Sequence, residues 1–121
     1  MSNNCIQWLD RNEPDSPSVV FDLSKVKKNY FRLTSLYKDI EVFYAVKANP
    51  NKKIIDLLNS LGSSFDCASL DEVNICLNSN VPVQKISYGS TIKKEIDIKR
   101  AFQLGVRLYA FDSYEELEKI S

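Results

Sequence analysis

Five short apolar runs, rich in β-branched and aromatic residues, punctuate this chain. They are Ser18-Val19-Val20-Phe21, Val42-Phe43-Tyr44-Ala45-Val46, Ser64-Phe65-Asp66-Cys67-Ala68, Ile86-Ser87-Tyr88 and Val106-Arg107-Leu108-Tyr109-Ala110-Phe111. Each is strand-sized. Val20, Val42, Ser64, Ile86 and Leu108 follow one another at steps of 22 residues, a strand-plus-helix period that leaves a few residues for each connection. Strands that alternate with helices lie parallel with right-handed crossovers, because each helix returns the chain to the same edge of the sheet. The fold class is therefore α/β. Both an open sheet and a barrel are built this way, and a complete (β/α)8 barrel takes about 250 residues, so 121 residues hold about half of its units.

Helical patterns fill the gaps between runs. Leu23, Val26, Tyr30, Leu33 and Tyr37 follow three- and four-residue steps, and Ile54, Ile55, Leu57, Leu58 and Leu61 form a second apolar stripe. Asn49-Pro50 reads as N-cap and first turn of that second helix, and Gly62 as the residue that closes it. Ser69-Leu70-Asp71-Glu72 fits a capping box in which Glu72 reaches back to the Ser69 amide. A fourth helix is predicted over roughly Lys93 to Leu104 with Gly105 behind it, and Ser113-Tyr114-Glu115-Glu116 opens a fifth. No Gly/Ser/Pro linker, low-complexity tract or charge block marks a second unit within the chain. The expected organisation is an N-terminal arm over residues 1–17, turn-rich from Asn12 to Pro17, followed by one domain over 18–121.

Composition removes several function classes. With 44% hydrophobic and 26% charged residues the chain is expected to form one compact domain. Sixteen basic residues balance sixteen acidic ones, so no global field draws it to nucleic acid or to an anionic membrane. The N-terminus lacks an apolar stretch of signal-peptide length, and the expectation is a cytoplasmic protein. Three widely spaced cysteines, Cys5, Cys67 and Cys76, and no histidine at all leave no zinc constellation, and read as reduced thiols. Without histidine, neither a Ser-His-Asp nor a Cys-His nucleophile pair can be assembled. Chemistry is left to Lys, Asp, Glu, Cys, Tyr or a cofactor.

Ligands of parallel α/β folds meet the carboxyl ends of the strands. There the sequence places Lys47, Asp66-Cys67-Ala68-Ser69, Tyr88-Gly89-Ser90 and Phe111-Asp112-Ser113. Lys47 follows directly on an apolar strand with no charged neighbour. At a partly desolvated mouth its ammonium form would be disfavoured, freeing an amine to attack a carbonyl and form a Schiff base. The plainer reading is a strand-end lysine that reaches out to water. Asp66 and Glu72 likewise have plain readings as a turn residue and a cap. Cys67 and Cys76 read as small buried hydrophobes, Gly89-Ser90-Thr91 as a turn, and the Lys93-Lys94-Glu95 and Lys27-Lys28 clusters as solvated helix faces.

Four ordered blocks carry a resemblance. They are Phe43-Tyr44-Ala45-Val46-Lys47-Ala48-Asn49-Pro50, Gly62-Ser63-Ser64-Phe65-Asp66-Cys67-Ala68-Ser69 with Glu72, Ile86-Ser87-Tyr88-Gly89-Ser90-Thr91-Ile92-Lys93-Lys94, and Gly105-Val106-Arg107-Leu108-Tyr109-Ala110-Phe111-Asp112-Ser113. In this order they resemble the N-terminal barrel segment of the fold-type III pyridoxal-phosphate decarboxylases, the ornithine, arginine and diaminopimelate decarboxylases, and most of all the ornithine decarboxylase group. The resemblance spans about residues 18 to 120.

The resemblance implies an incomplete, alanine-racemase-like (β/α)8 TIM-type barrel. It implies pyridoxal 5'-phosphate as cofactor, with Lys47 holding it covalently until an incoming amino acid displaces the lysine. Ala45, Asp66 and Glu72 match positions lining the cofactor side of the pocket. The implied parent reaction is decarboxylation of a basic amino acid, ornithine to putrescine first, in a homodimer whose sites lie between subunits. It also moves the Val19–Phe21 run into a second, β-rich domain, so that the barrel starts at Val42. The family's ring-stacking histidine, Gly-rich phosphate loop and substrate-binding Asp and Cys fall beyond this chain, which implies a fragment inactive alone. Two other readings stay open: a different fold-type III enzyme, such as a diaminopimelate decarboxylase or a racemase relative, and a non-catalytic regulatory decoy.

Overall fold

The repeat seen in the sequence becomes a parallel sheet whose strands stand side by side in chain order. A computed structural model describes residues 3–37 and 39–121. Helices α1 (Asn3–Asn12) and α2 (Leu23–Leu36) come first, and then four strand–helix units. These are β1 (Phe43–Ala45) with α3 (Lys52–Ser60), β2 (Ser64–Cys67) with α4 (Leu70–Asn78), β3 (Ile86–Tyr88) with α5 (Glu95–Gln103), and β4 (Leu108–Tyr109) with α6 (Tyr114–Ile120). The sheet order is β1-β2-β3-β4, all parallel.

Paired residues are 21 positions apart: Phe43 faces Ser64, Phe65 faces Ile86 and Ser87 faces Leu108. Against a repeat of 22, this slides successive units past each other by a residue, the stagger that tilts strands in a barrel wall.

Alternation along the strands sorts side chains onto two faces. Phe65, Cys67, Ile86 and Tyr88 turn to the helices and are buried with Ile55, Val73, Cys76 and Ala101 in the core. Phe65 also meets the Tyr44 ring edge-on, at 6.3 Å between centroids. Ala45, Asp66, Ser87 and Leu108 share the opposite face. No described helix covers it, and Leu108 is 52% exposed. In a barrel wall this is the inner face.

Several local expectations hold. Ser69 and Ser113 cap α4 and α6 by accepting from the amides of Glu72 and Glu116. Gly62 and Gly105 close α3 and α5 at positive φ (94° and 102°), where a side chain would be strained.

Others are corrected. The Ser18–Phe21 run forms no strand: Val19 and Phe21 are 80% and 57% exposed, and no described strand lies beside them to bond their backbone. Helix α1 occupies most of the span read as an arm. The cap of α3 is Asn51, whose side chain accepts from the Lys53 amide. Asn49 belongs to the preceding turn, because its N–H donates to the Val46 carbonyl at 3.1 Å and its Oδ1 accepts from the Asn51 amide at 3.0 Å. Glu72 Oε2 accepts from the Ala68 amide at 2.7 Å, one residue before the amide predicted. Lys93, read as part of a solvated helix face, is buried and precedes α5.

Candidate functional site

The carboxyl ends of β1 and β2 gather the four residues singled out from the sequence. Ala45 ends β1 and pairs with Asp66 on β2. Directly after Ala45 the chain winds into a 3-10 turn, Val46–Ala48, which carries Lys47. Two interactions fix that turn: Val46 is completely buried, and the Tyr44 hydroxyl donates to the Asn49 carbonyl at 3.1 Å. Burial of the Tyr44 ring pushes its hydroxyl above the usual phenol range, with the hydrogen bond to the Asn49 carbonyl opposing the shift.

Lys47 is exposed, where a sheltered mouth was expected. The reason is architectural: its turn stands at the edge of a sheet whose inner face no described element covers. Among the described residues its amine has no hydrogen-bond or ion-pair partner, unlike that of Lys52, which pairs with Asp56 at 2.8 Å.

Asp66 is half-buried on the inner face. Its Oδ1 accepts from the Ser87 hydroxyl at 2.7 Å. Glu72, in the first turn of α4, is half-buried and reaches back to the amide that follows β2. The bond ties the start of the helix to the strand end bearing Asp66 and Cys67.

Sequence reasoning passed over three neighbours. Ser87 was read only as strand. Gly89 was read as a turn residue, yet a Cβ placed on it would stand 1.9 Å from Asp66 Oδ1. Lys93 was assigned to solvent, yet its amine donates to the carbonyls of Ser90 and Ala110 at 2.7 and 2.6 Å and pairs with Glu116. A glycine directly after a strand was the one available signal.

The donor set suits a carbonyl-bearing group: an uncommitted primary amine at the end of one strand, a carboxylate on the next, and the small Ala45 between them on the open face. Among the described residues no group of three or more Cys, Asp and Glu could hold a metal ion. No described helix is long and apolar enough to cross a membrane.

Comparisons with known proteins bear on family and fold. The family described as pyridoxal-dependent decarboxylase, pyridoxal binding domain, matches residues 23–121. The chain is 43% identical over 114 residues to decarboxylase flvG of Aspergillus flavus, a match covering 94% of this chain and 26% of that protein. It is 38% identical over 112 residues to ornithine decarboxylase of Caenorhabditis elegans, covering 93% and 26%. Among solved structures, lysine decarboxylase from Selenomonas ruminantium superposes with a TM-score of 0.88 at 33% identity, over 99% of this chain and 32% of that one. The chain thus spans about a quarter of the length of the two relatives. Sheet order and matched domain converge, and the chain belongs to the pyridoxal-dependent decarboxylases of fold type III, in the ornithine decarboxylase group, as the N-terminal barrel part of their pyridoxal-binding domain.

Proposed function

We propose that this chain supplies the cofactor lysine of a pyridoxal-phosphate-dependent decarboxylase acting on a basic amino acid, with ornithine, converted to putrescine, as the first candidate. The observation that carries the reading is the uncommitted Lys47 amine in the turn directly after β1, whose last residue, Ala45, pairs with Asp66. Lys47 Nζ would hold the cofactor covalently. Ala45 leaves room above the sheet, and Asp66 and Glu72 border the same edge. When bound, pyridoxal phosphate supplies a ring that takes up the electron pair left by departing carbon dioxide. A carboxylate on the inner face would attract the ammonium group of a basic substrate or balance charge near the ring. A second subunit, the amino-acid substrate and a cytoplasmic setting belong to the same reading, supported by the family rather than by any residue of this chain.

The test is covalent trapping. The folded chain is incubated with pyridoxal phosphate, reduced with borohydride and mapped by peptide mass spectrometry. The pyridoxyl group is expected on Lys47, with Lys47→Ala abolishing it. Label spread evenly over Lys27, Lys53 and Lys99, with none enriched at Lys47, would overturn the proposal.

A further inference from the structure

We propose that Ser87 and Gly89 hold the Asp66 carboxylate against β3, and so keep it off the Lys47 amine. The inference rests on the reading of Lys47 as the cofactor lysine. Asp66 sits on the middle strand of three, level with Ala45 on one side and Ser87 on the other. Its carboxylate has two directions open to it. Toward β1 lies the turn carrying Lys47, and toward β3 lie the Ser87 hydroxyl and Gly89.

The structure takes the second direction. Ser87 Oγ donates to Asp66 Oδ1 at 2.7 Å. Beyond it, the carboxylate fills the space in which a side chain at residue 89 would begin: an ideal Cβ there would lie 1.9 Å from Oδ1, 2.6 Å from Cγ and 2.7 Å from Oδ2. Gly89 has no positive φ, unlike Gly62 and Gly105, so the backbone does not call for glycine. Space does. Nor can the backbone easily retreat, since the Gly89 amide donates to the Cys67 carbonyl at 2.8 Å and continues the ladder.

The consequence reaches Lys47 through charge. An amine beside a carboxylate is stabilised as ammonium, and an ammonium is no nucleophile. With Asp66 turned to β3, Lys47 has no ion-pair partner among the described residues. A methyl group at residue 89 would push the carboxylate out of its space, and the side open to it is that of β1. Ser87 and Gly89 therefore act as positioning residues, through Asp66.

The experiment measures Lys47 reactivity on the full chain with trinitrobenzenesulfonate at fixed neutral pH. Labelling is read by peptide mass spectrometry against Lys53 as internal reference. Gly89→Ala is expected to slow Lys47 labelling about three- to ten-fold, and Ser87→Ala about two- to three-fold. Ser87→Thr, which keeps the hydroxyl, should match the wild type. Asp66→Asn should abolish both effects, so that Gly89→Ala/Asp66→Asn labels as fast as Asp66→Asn alone. An unchanged rate in Gly89→Ala, or a loss that persists without the Asp66 charge, overturns the proposal. If Gly89→Ala does not fold, the Ser87→Ala and Asp66→Asn cycle decides in the same way. The reagent needs no cofactor, so failure of pyridoxal phosphate to label the wild-type chain is a separate result that speaks against the function proposed above.

Discussion

Lys93 Nζ lies 2.9 Å from Glu116 Oε1, with the two side chains 0% and 4% exposed. The same carboxylate accepts from the Lys93 amide at 3.0 Å and pairs with Lys119. The Lys93 amine also donates to the carbonyls of Ser90 and Ala110. One buried ion pair thus joins the loops that leave β3 and β4 to α6, at the edge of the sheet where the site lies. A buried charge deprived of its partner is strongly destabilising, whereas replacing both members by apolar groups is often neutral. Lys93→Met and Glu116→Leu should each lower the thermal midpoint by about 10 °C or more. The double variant should recover most of that loss. Circular dichroism melts decide, and single variants melting within a degree or two of the wild type would refute this account.

The same carboxylate gives the fold an acid limit. The Lys119 hydrogen bond, aided by Lys93 and opposed by desolvation, holds the Glu116 carboxyl below its ordinary 4.5. A carboxyl depressed in the folded state contributes stability that is complete above its unfolded value and is lost as pH falls through the folded one. The thermal midpoint of the wild-type chain should therefore decline as pH drops below 4.5. Glu116→Gln should start lower at pH 7 and decline less steeply over that window. Asp56, also lowered by its bond to Lys52, is the control: that pair is exposed and screened, and Asp56→Asn should leave the slope almost unchanged.

What could be read from the sequence follows from the range of the interactions involved. Strands β1 to β4 were legible because short runs rich in apolar and aromatic residues recur at a fixed spacing, with the residues that face the helices, such as Phe65, Cys67, Ile86 and Tyr88, apolar or aromatic. The caps at Ser69 and Ser113 and the closures at Gly62 and Gly105 were legible because their partners lie within a few residues. The strand read at Ser18–Phe21 failed because a strand exists only by pairing, and its own residues do not say whether a neighbour is present. Helix α1 was missed because its apolar residues, Cys5, Ile6, Trp8 and Leu9, lie within little more than one turn, too short a stretch to establish a period. Lys93 looked like surface because its partner Glu116 is 23 residues away in sequence. For the same reason Ser87 and Gly89 stayed silent: their meaning lies in the direction of one carboxylate on the adjacent strand.

The cap of α4 ties local stability to the site. The Ser69 hydroxyl accepts from the Glu72 amide at 3.3 Å, and the Glu72 carboxylate accepts from the Ala68 amide at 2.7 Å. Ser69→Ala should cost about 1 kcal/mol. Glu72→Ala, which loses both a charge-assisted hydrogen bond and a favourable charge at a helix start, should cost about 1–2 kcal/mol. Urea unfolding measures both. If Glu72→Gln retained full stability, the charge would be irrelevant and the hydrogen bond alone would suffice.

The thiols of Cys67 and Cys76 lie 3.8 Å apart, one on β2 beside Asp66 and the other on α4, and neither reaches solvent. The hydrogen bond with Cys76, together with burial, pushes the Cys67 thiol above the usual range. Only the thiolate attacks a disulfide reagent, and a small polar probe has no route to either sulfur without an opening of the core. Dithionitrobenzoate at pH 8 should therefore modify neither cysteine of the folded chain on the timescale of its reaction with free thiol, and should modify both at once in 6–8 M urea, on the order of the concentrations that unfold small domains. Peptide mapping separates these two sites from Cys5. At intermediate urea the labelling rate should track the fraction unfolded measured by circular dichroism. Rapid labelling of Cys67 in buffer alone would show that the β2–α4 contact opens without global unfolding, and would place the sheet edge bearing Asp66 among the mobile parts of the fold.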